Sequence, residues 1–253
     1  MQFSLSKYTS RKSNIGAKFF FCRPNNCRNF YMIRFLCNSL SGVITTSNLP
    51  NMKKVLLAVP ILLLVSFSLT ESGLTKKEKK AAISYLEETR TDLKNTIAGL
   101  SEDQFNFKPG NDRWSIKECL QHIASTEIAL WQLCEGTLKA PANPEKRSEI
   151  KMSDEQLIKA FTDRSNKVKT SESLQPDKSP FSTALDAVSS IESSREKLIK
   201  YMKGTKDDMR NHVTQLPFGW IDAYQLVLFI GAHCNRHTQQ IAEVMADPNF
   251  PKK

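Results

Sequence analysis

Cysteine is scarce in this chain of 253 residues, and its distribution excludes a scaffold held together by disulfides. Of the six cysteines, three lie within the first 51 residues, which leaves Cys119, Cys134 and Cys234 for the rest of the chain. Three thiols cannot all pair within one molecule, and roughly 180 residues can build a hydrophobic core without cross-links. The sequence therefore predicts a fold stabilised by packing.

Acidic residues are absent from residues 1–51, which contain seven lysines and arginines. This leader carries seven of the ten net positive charges, and the remaining 29 basic and 26 acidic residues leave the body of the chain nearly neutral. The body shows no basic stripe of the kind that binds nucleic acid. We therefore expect no nucleic-acid partner.

A hydrophobic run long enough to span a membrane is also missing. The run from Val55 to Leu69 contains Pro60 and is shorter than the about 20 residues that a transmembrane helix needs. Two lysines precede it and small polar residues follow, which is typical of a secretory signal peptide. A membrane contact is expected only if this signal stays uncleaved as an anchor, and the expected location is the periplasm or another extracytoplasmic compartment of a bacterium.

These compositional breaks predict three segments. Residues 1–51 are expected to be a disordered leader, translated by mistake from upstream of a true start at Met52, and a basic targeting presequence is the alternative. Residues 52–74 are expected to be the signal peptide or anchor, and residues 75–253 the folded domain.

Strand-like alternation and internal repeats are absent from the domain, whereas helical periodicity is clear. Apolar residues three and four apart, with capping boxes at Thr75 and Ser115, predict four long helices, which start near residues 75, 115, 182 and 221. A shorter helix is predicted over 153–169, between the second and the third long helix. This pattern predicts an all-α four-helix bundle with one extra short helix.

Two histidines four residues apart, His233 and His237, lie on the apolar face of the last helix. His122 lies on the inward face of the second helix, whereas His212 lies in a polar segment and is predicted to be at the surface. Side chains at i and i+4 are about 5–6 Å apart, so both imidazoles can reach one ion. A third imidazole from a facing helix would leave a coordination position open for water or substrate. Satisfied core histidines are the alternative.

Three motifs in this order resemble the DinB-like superfamily of metal-binding four-helix bundles, which includes bacillithiol- and mycothiol-dependent transferases. They are PGNDRWSIKECLQH, which contains Pro109, Trp114, Ser115, Glu118 and His122, then SREKLIKYMKG, and finally HCNRHTQQI. The resemblance covers about residues 81–246. It implies that His122, His233 and His237 bind a divalent metal ion, and neutral imidazoles leave zinc, nickel and iron open.

Three further polar residues are weaker candidates for a catalytic role. Glu118 lies one turn before His122, but its place in the capping box favours a structural role. Arg195 lies on the buried stripe predicted for the third helix, together with Leu185, and needs an anionic or carbonyl partner, either a substrate or an internal salt bridge. Gln240 lies one turn after the last histidine and is a candidate to orient a ligand or a bound water.

Two residues near the start of the second helix complete the set of candidates. Trp114 is expected to pack against the first turns of this helix. Cys119 lies one turn before the first histidine and is either a fourth metal ligand or a small buried residue, which is the favoured interpretation.

The function expected is that of an exported metal-dependent hydrolase that acts on a small molecule of unknown identity. A thiol-dependent S-transferase of the same family and a non-catalytic metal-binding or interaction bundle are the alternatives. Export counts against the transferase, because the thiols used by its characterised relatives are cytosolic. The resemblance also leaves a homodimer open.

Overall fold

The computed structural model describes residues 73–165 and 168–252. The predicted leader and all but the last two residues of the predicted signal segment lie outside these ranges. Within them, the chain forms four long helices, with short helices and one β-hairpin between them. None of the helices in these two ranges is both long and apolar enough to cross a membrane.

The long helices are α1 (Lys76–Ile97), α3 (Ile116–Lys139), α5 (Ala184–Gly204) and α6 (Ala223–Met245). The short helices α2 (Glu102–Asn106) and α4 (Asp154–Thr162) precede α3 and α5, and the hairpin strands β1 (Val213–Leu216) and β2 (Gly219–Asp222) precede α6. Both α5 and α6 pack against α1 and α3, and α4 packs against α6. The predicted four-helix bundle is confirmed, and α4 is its extra short helix.

Each long helix begins at a side chain that accepts a hydrogen bond from a backbone amide of the first turn. These caps are Thr75, Ser115, Thr183 and Asp222. The capping boxes predicted at Thr75 and Ser115 are both present. Since such a cap contributes about 1 kcal/mol, the helix starts are fixed largely by local sequence.

A polar layer divides the core into two apolar clusters. One cluster includes Leu86, Leu130, Met202 and Leu226, and the other includes Leu93, Ile123, Ile191 and Ile241. Between them along the helices lie Thr89, Glu127 and Arg195, which are at most 2% exposed. Buried polar groups need hydrogen-bond partners, so this layer restricts how the helices can align with one another.

Several sequence-based expectations about the elements were wrong. The hairpin of β1 and β2 was not expected, because strands of four residues are too short for alternation to be visible. Helix α4 ends at Thr162 rather than at 169, since Asp163 has an extended backbone. Leu185 is 67% exposed, because the first turn of α5 buries the small residues Ala184 and Ala187 instead.

A close approach between α1 and α6 depends on a glycine. A Cβ atom built on Gly231 would lie 2.8 Å from two ring atoms of Tyr85, far inside normal contact. A Cβ atom on Gly136, in α3, would have no atom within 4 Å. Gly231 and Gly136 thus offer a matched comparison between a crowded and an open helical position.

We expect Gly231→Ala to lower the free energy of unfolding by about 1–3 kcal/mol, because Tyr85 has to move. Gly136→Ala should raise it by about 0.5–1 kcal/mol, since alanine favours a helix and meets no obstacle. Urea denaturation followed by circular dichroism measures both. Equal effects from the two substitutions would contradict this account of the α1–α6 contact.

Candidate metal centre

Three histidines from two long helices meet inside the bundle. His122 comes from α3, and His233 and His237 come from consecutive turns of α6. One potential ligand nitrogen of each lies within 4.8 Å of the others, and the ring centroids are 4.5–4.9 Å apart. The structure thus brings together the three residues that the sequence singled out.

Hydrogen bonds at the outer ring nitrogens define the tautomers of two of these histidines. The Nδ1 atom of His122 lies 2.8 Å from the carbonyl oxygen of Leu174, and that of His237 lies 2.9 Å from Oε1 of Gln240. Both partners are oxygens that only accept, so both Nδ1 atoms carry the proton and donate it. Each Nε2 atom is then left with a free lone pair.

Burial keeps the three imidazoles neutral. Desolvation lowers the pKa of His122, and it lowers that of His233 well below the ordinary value, with the neighbouring histidines adding to the effect. The pKa of His237 falls to about 3, again chiefly because of burial. At neutral pH the triad therefore consists of uncharged rings, the protonation state that binds a metal ion.

The donor set fits one divalent metal ion. The Nε2 atoms of His122 and His233 are 3.1 Å apart, and two imidazole ligands at 2.0–2.1 Å from a tetrahedral ion would be about 3.3 Å apart. The Nδ1 atom of His233 is buried and has no hydrogen-bond partner among the described residues. This cluster contains no carboxylate or thiol within the ranges described, so its ligands are three neutral nitrogens.

Trp114 closes one side of the triad. Its ring lies 4.9 Å from that of His122 and stacks at 5.9 Å on that of His237, measured between centroids. His122 and His237 are only 3% and 8% exposed. His233 is more exposed as a whole residue, although its ring nitrogens are buried like those of the other two. Of the three residues, His233 therefore lies nearest to the solvent.

The cysteines take no part in this cluster. Cys119 is fully buried in an apolar cluster, as the favoured interpretation predicted, and Cys234 is buried with its Sγ atom directed at the carbonyl oxygen of Thr89. Burial raises the pKa of the Cys234 thiol to about 12 and that of Cys119 further still. Both remain protonated thiols at neutral pH.

Arg195 forms the internal salt bridge that was one of its two predicted roles. Its guanidinium donates to Oε1 of Glu127 at 2.5 and 3.0 Å, to Thr89 Oγ1 at 2.9 Å, and to the carbonyl oxygens of Leu86 and Ile230 at 3.0 and 3.4 Å. All the donors of this side chain are thus directed into the protein, which leaves no place for a substrate carboxylate.

The structure also gives the contacts of Glu118, Gln240 and His212. Glu118 accepts from the backbone N–H of Ser115 at 2.7 Å and pairs with Lys108 at 2.9 Å, so its capping role is confirmed. Gln240 contacts His237 directly. His212 is half-buried rather than at the surface, because its backbone carbonyl accepts from the first amide of α6.

Two hydrogen-bond partners of the predicted residues could not be found from motif spacing. The carbonyl oxygen of Leu174 comes from a short 3-10 helix (Glu172–Leu174) with no repeating pattern, and backbone acceptors leave no mark in a sequence. Glu127 borders the apolar stripe of α3, and this position was the only signal that it could be the buried partner of Arg195.

A family profile and one curated relative match most of the domain in sequence. The sequence profile of the DinB superfamily matches residues 85–241, and the chain belongs to this superfamily, as its motifs predicted. The uncharacterized protein YuaE of Bacillus subtilis (strain 168) is 28% identical over 164 residues, which are 64% of this chain and 96% of YuaE. A solved structure, YfiT from Bacillus subtilis, is described as a probable metal-dependent hydrolase with an unusual four-helix bundle topology. It is 14% identical with a TM-score of 0.48, over 71% of this chain and 92% of YfiT.

The buried ion pair of Arg195 and Glu127 should be sensitive to the loss of one partner. Arg195→Met should lower the free energy of unfolding by about 3–5 kcal/mol, because Glu127 is left as an unpaired buried charge. Adding Glu127→Leu should recover most of this loss, since the two charges then leave the core together. Urea denaturation of the single and the double variant measures the difference.

The surface pair of Lys94 and Glu192, 3.6 Å apart, provides the control. Lys94→Met should change the stability by less than about 1 kcal/mol. If the double variant is as unstable as Arg195→Met alone, the loss comes from packing and not from the unpaired carboxylate.

Proposed function

We propose that the three histidines bind one divalent metal ion and that the chain is a metal-dependent hydrolase. The observation that carries this proposal is the convergence of three neutral imidazoles with no fourth protein ligand among the described residues. Structural metal sites are usually closed by four protein ligands, whereas catalytic sites keep a position open for water or substrate.

The nature of the protein side chains favours water as the attacking group. The nearby thiols of Cys119 and Cys234 are buried, and their raised pKa values keep them protonated, so neither is an activated nucleophile. A bound divalent ion lowers the pKa of a coordinated water and polarises the bond that is attacked. The protein itself therefore supplies no thiol nucleophile, and the nucleophile that we propose is a water bound to the ion.

The residues around the triad fix the ligand orientation. Leu174 and Gln240 accept hydrogen bonds from the Nδ1–H groups of His122 and His237, which would leave their Nε2 lone pairs available to hold the ion. Trp114 covers the same two rings and excludes water from that side. Substrate and water would reach the site beside His233.

Experiments have to test export and the two alternatives to hydrolysis. The predicted signal segment lies almost wholly outside the described residues, and export rests on its sequence pattern. A thiol transferase would require an external thiol, and a non-catalytic bundle would bind the ion without turnover.

Metal binding by the three histidines can be measured directly. The full chain, incubated with zinc, nickel or iron salts and desalted, should hold about one equivalent of one of these metals per chain by elemental analysis, because the three lone pairs share one centre. A variant with His122→Ala, His233→Ala and His237→Ala should hold none. Circular dichroism of the variant shows whether the bundle is still folded.

Turnover is tested on the same samples with a panel of nitrophenyl esters and anilides, with and without added thiols. Hydrolysis should disappear after chelation, return when the ion is added back, and be absent from the variant. A wild-type protein that stays empty with all three metals would refute the metal site. Turnover only in the presence of a thiol would favour the transferase.

Adjacent glutamines provide a second test. Gln240→Ala should weaken metal affinity by roughly 10–100-fold, because the Nδ1 proton of His237 loses its acceptor. Gln239→Ala is the matched control, since Gln239 bonds to Thr162 and Asn235 at the surface. Competition with a chromophoric chelator measures both affinities. Equal losses in the two variants would mean that the hydrogen bond to His237 does not support metal binding.

A further inference from the structure

Three phenylalanine rings from separate elements pack together beside the triad. They are Phe161 of α4, Phe218 of the turn between β1 and β2, and Phe229 of α6, and we call them the aromatic patch. Their ring centroids are 4.3–5.4 Å apart, so the three rings are in direct contact with one another. The hairpin thus adds one ring to two that the helices provide.

The aromatic patch extends from a solvent-exposed ring to His233. Phe229 meets His233 edge to face at a centroid distance of 6.2 Å, and Phe218 is 38% exposed. Trp114 covers the other two histidines on their own side. A molecule that approaches the triad beside His233 therefore passes along the aromatic patch.

The exposed ring of Phe218 stands in a position where polar residues are the rule. Tight turns between strands usually carry polar side chains, glycine or proline. Scattered exposed apolar residues need no explanation, but one that continues a buried cluster toward a candidate site is typical of a ligand-binding surface.

The charge of the centre constrains the group that binds to the ion. Three neutral imidazoles leave both positive charges of a divalent ion uncompensated, and no carboxylate belongs to the ligand cluster within the described ranges. Such a centre favours an anionic oxygen or nitrogen over a neutral one.

We infer that the substrate carries a flat aromatic or apolar body, which the aromatic patch binds, next to an anionic or readily deprotonated group that binds to the metal ion. This inference rests on the proposed function, because the ion holds the head group. It narrows the substrate class to small aryl or similarly flat molecules with a metal-binding oxygen or nitrogen.

Hydroxamates that share one metal-binding head test this inference. The full chain is loaded with cobalt(II), whose visible absorption reports the ion itself, and is titrated with acetohydroxamate, benzohydroxamate and 4-phenylbenzohydroxamate. The aryl members should bind about tenfold or more tightly than acetohydroxamate, because their rings bury apolar surface on the patch. Affinity ratios within one protein sample cancel differences in metal content.

Phe218→Ser should reduce this preference about threefold or more, most clearly for the longest ligand, since part of the apolar contact is removed. Leu185→Ser is the matched control, because Leu185 is 67% exposed on α5 and does not belong to the patch. The control should keep the wild-type preference.

Equal affinities for all three hydroxamates, or a preference that Phe218→Ser leaves unchanged, would overturn the inference while the cobalt spectrum shows that the ion is bound. Failure of cobalt to bind is visible before any hydroxamate is added. That result would refute the proposed metal site and, with it, the inference.

Discussion

The guanidinium of Arg195 is the constraint on which the rest of the bundle depends. It lies on α5 and bonds to α3 through Glu127, to α1 through Thr89 and the carbonyl oxygen of Leu86, and to α6 through that of Ile230. An unpaired charge in the core would be prohibitively costly, so all four long helices have to be aligned for these bonds to form together. Apolar packing alone would tolerate several alignments.

This alignment also sets the position of the histidine triad. Ile230, which accepts a bond from Arg195, lies one turn before His233 on α6, and the α3 residue that pairs with Arg195 lies little more than one turn after His122. The ion pair thus fixes the two helices whose histidines have to meet. Gly231, between these positions on α6, permits the close approach to α1 that this alignment requires.

The sequence predicted those parts of the molecule that depend on local rules. The caps at Thr75 and Ser115 follow from the capping-box motif, and the inward faces of His122, His233 and His237 follow from helical periodicity. The meeting of the three histidines was implied by the family resemblance and not by the spacing itself. The hairpin, the exposure of Leu185 and the partner of Arg195 depend on how distant segments pack. No spacing within one helix specifies such contacts, and a carbonyl acceptor such as that of Leu174 leaves no residue-type signal at all.

The protonation state and the tautomers of the three histidines depend on their surroundings as well as on the rings themselves. It lies beside the polar layer but among the apolar side chains and aromatic rings of the core, where desolvation keeps the imidazoles neutral. The short 3-10 helix Glu172–Leu174, which supplies the carbonyl oxygen of Leu174, is not part of any long helix, yet it selects the tautomer of His122. Displacement of this segment would leave the Nδ1–H group of His122 without its carbonyl acceptor and free the ring to turn, so the geometry of the triad is linked to a segment outside the bundle helices.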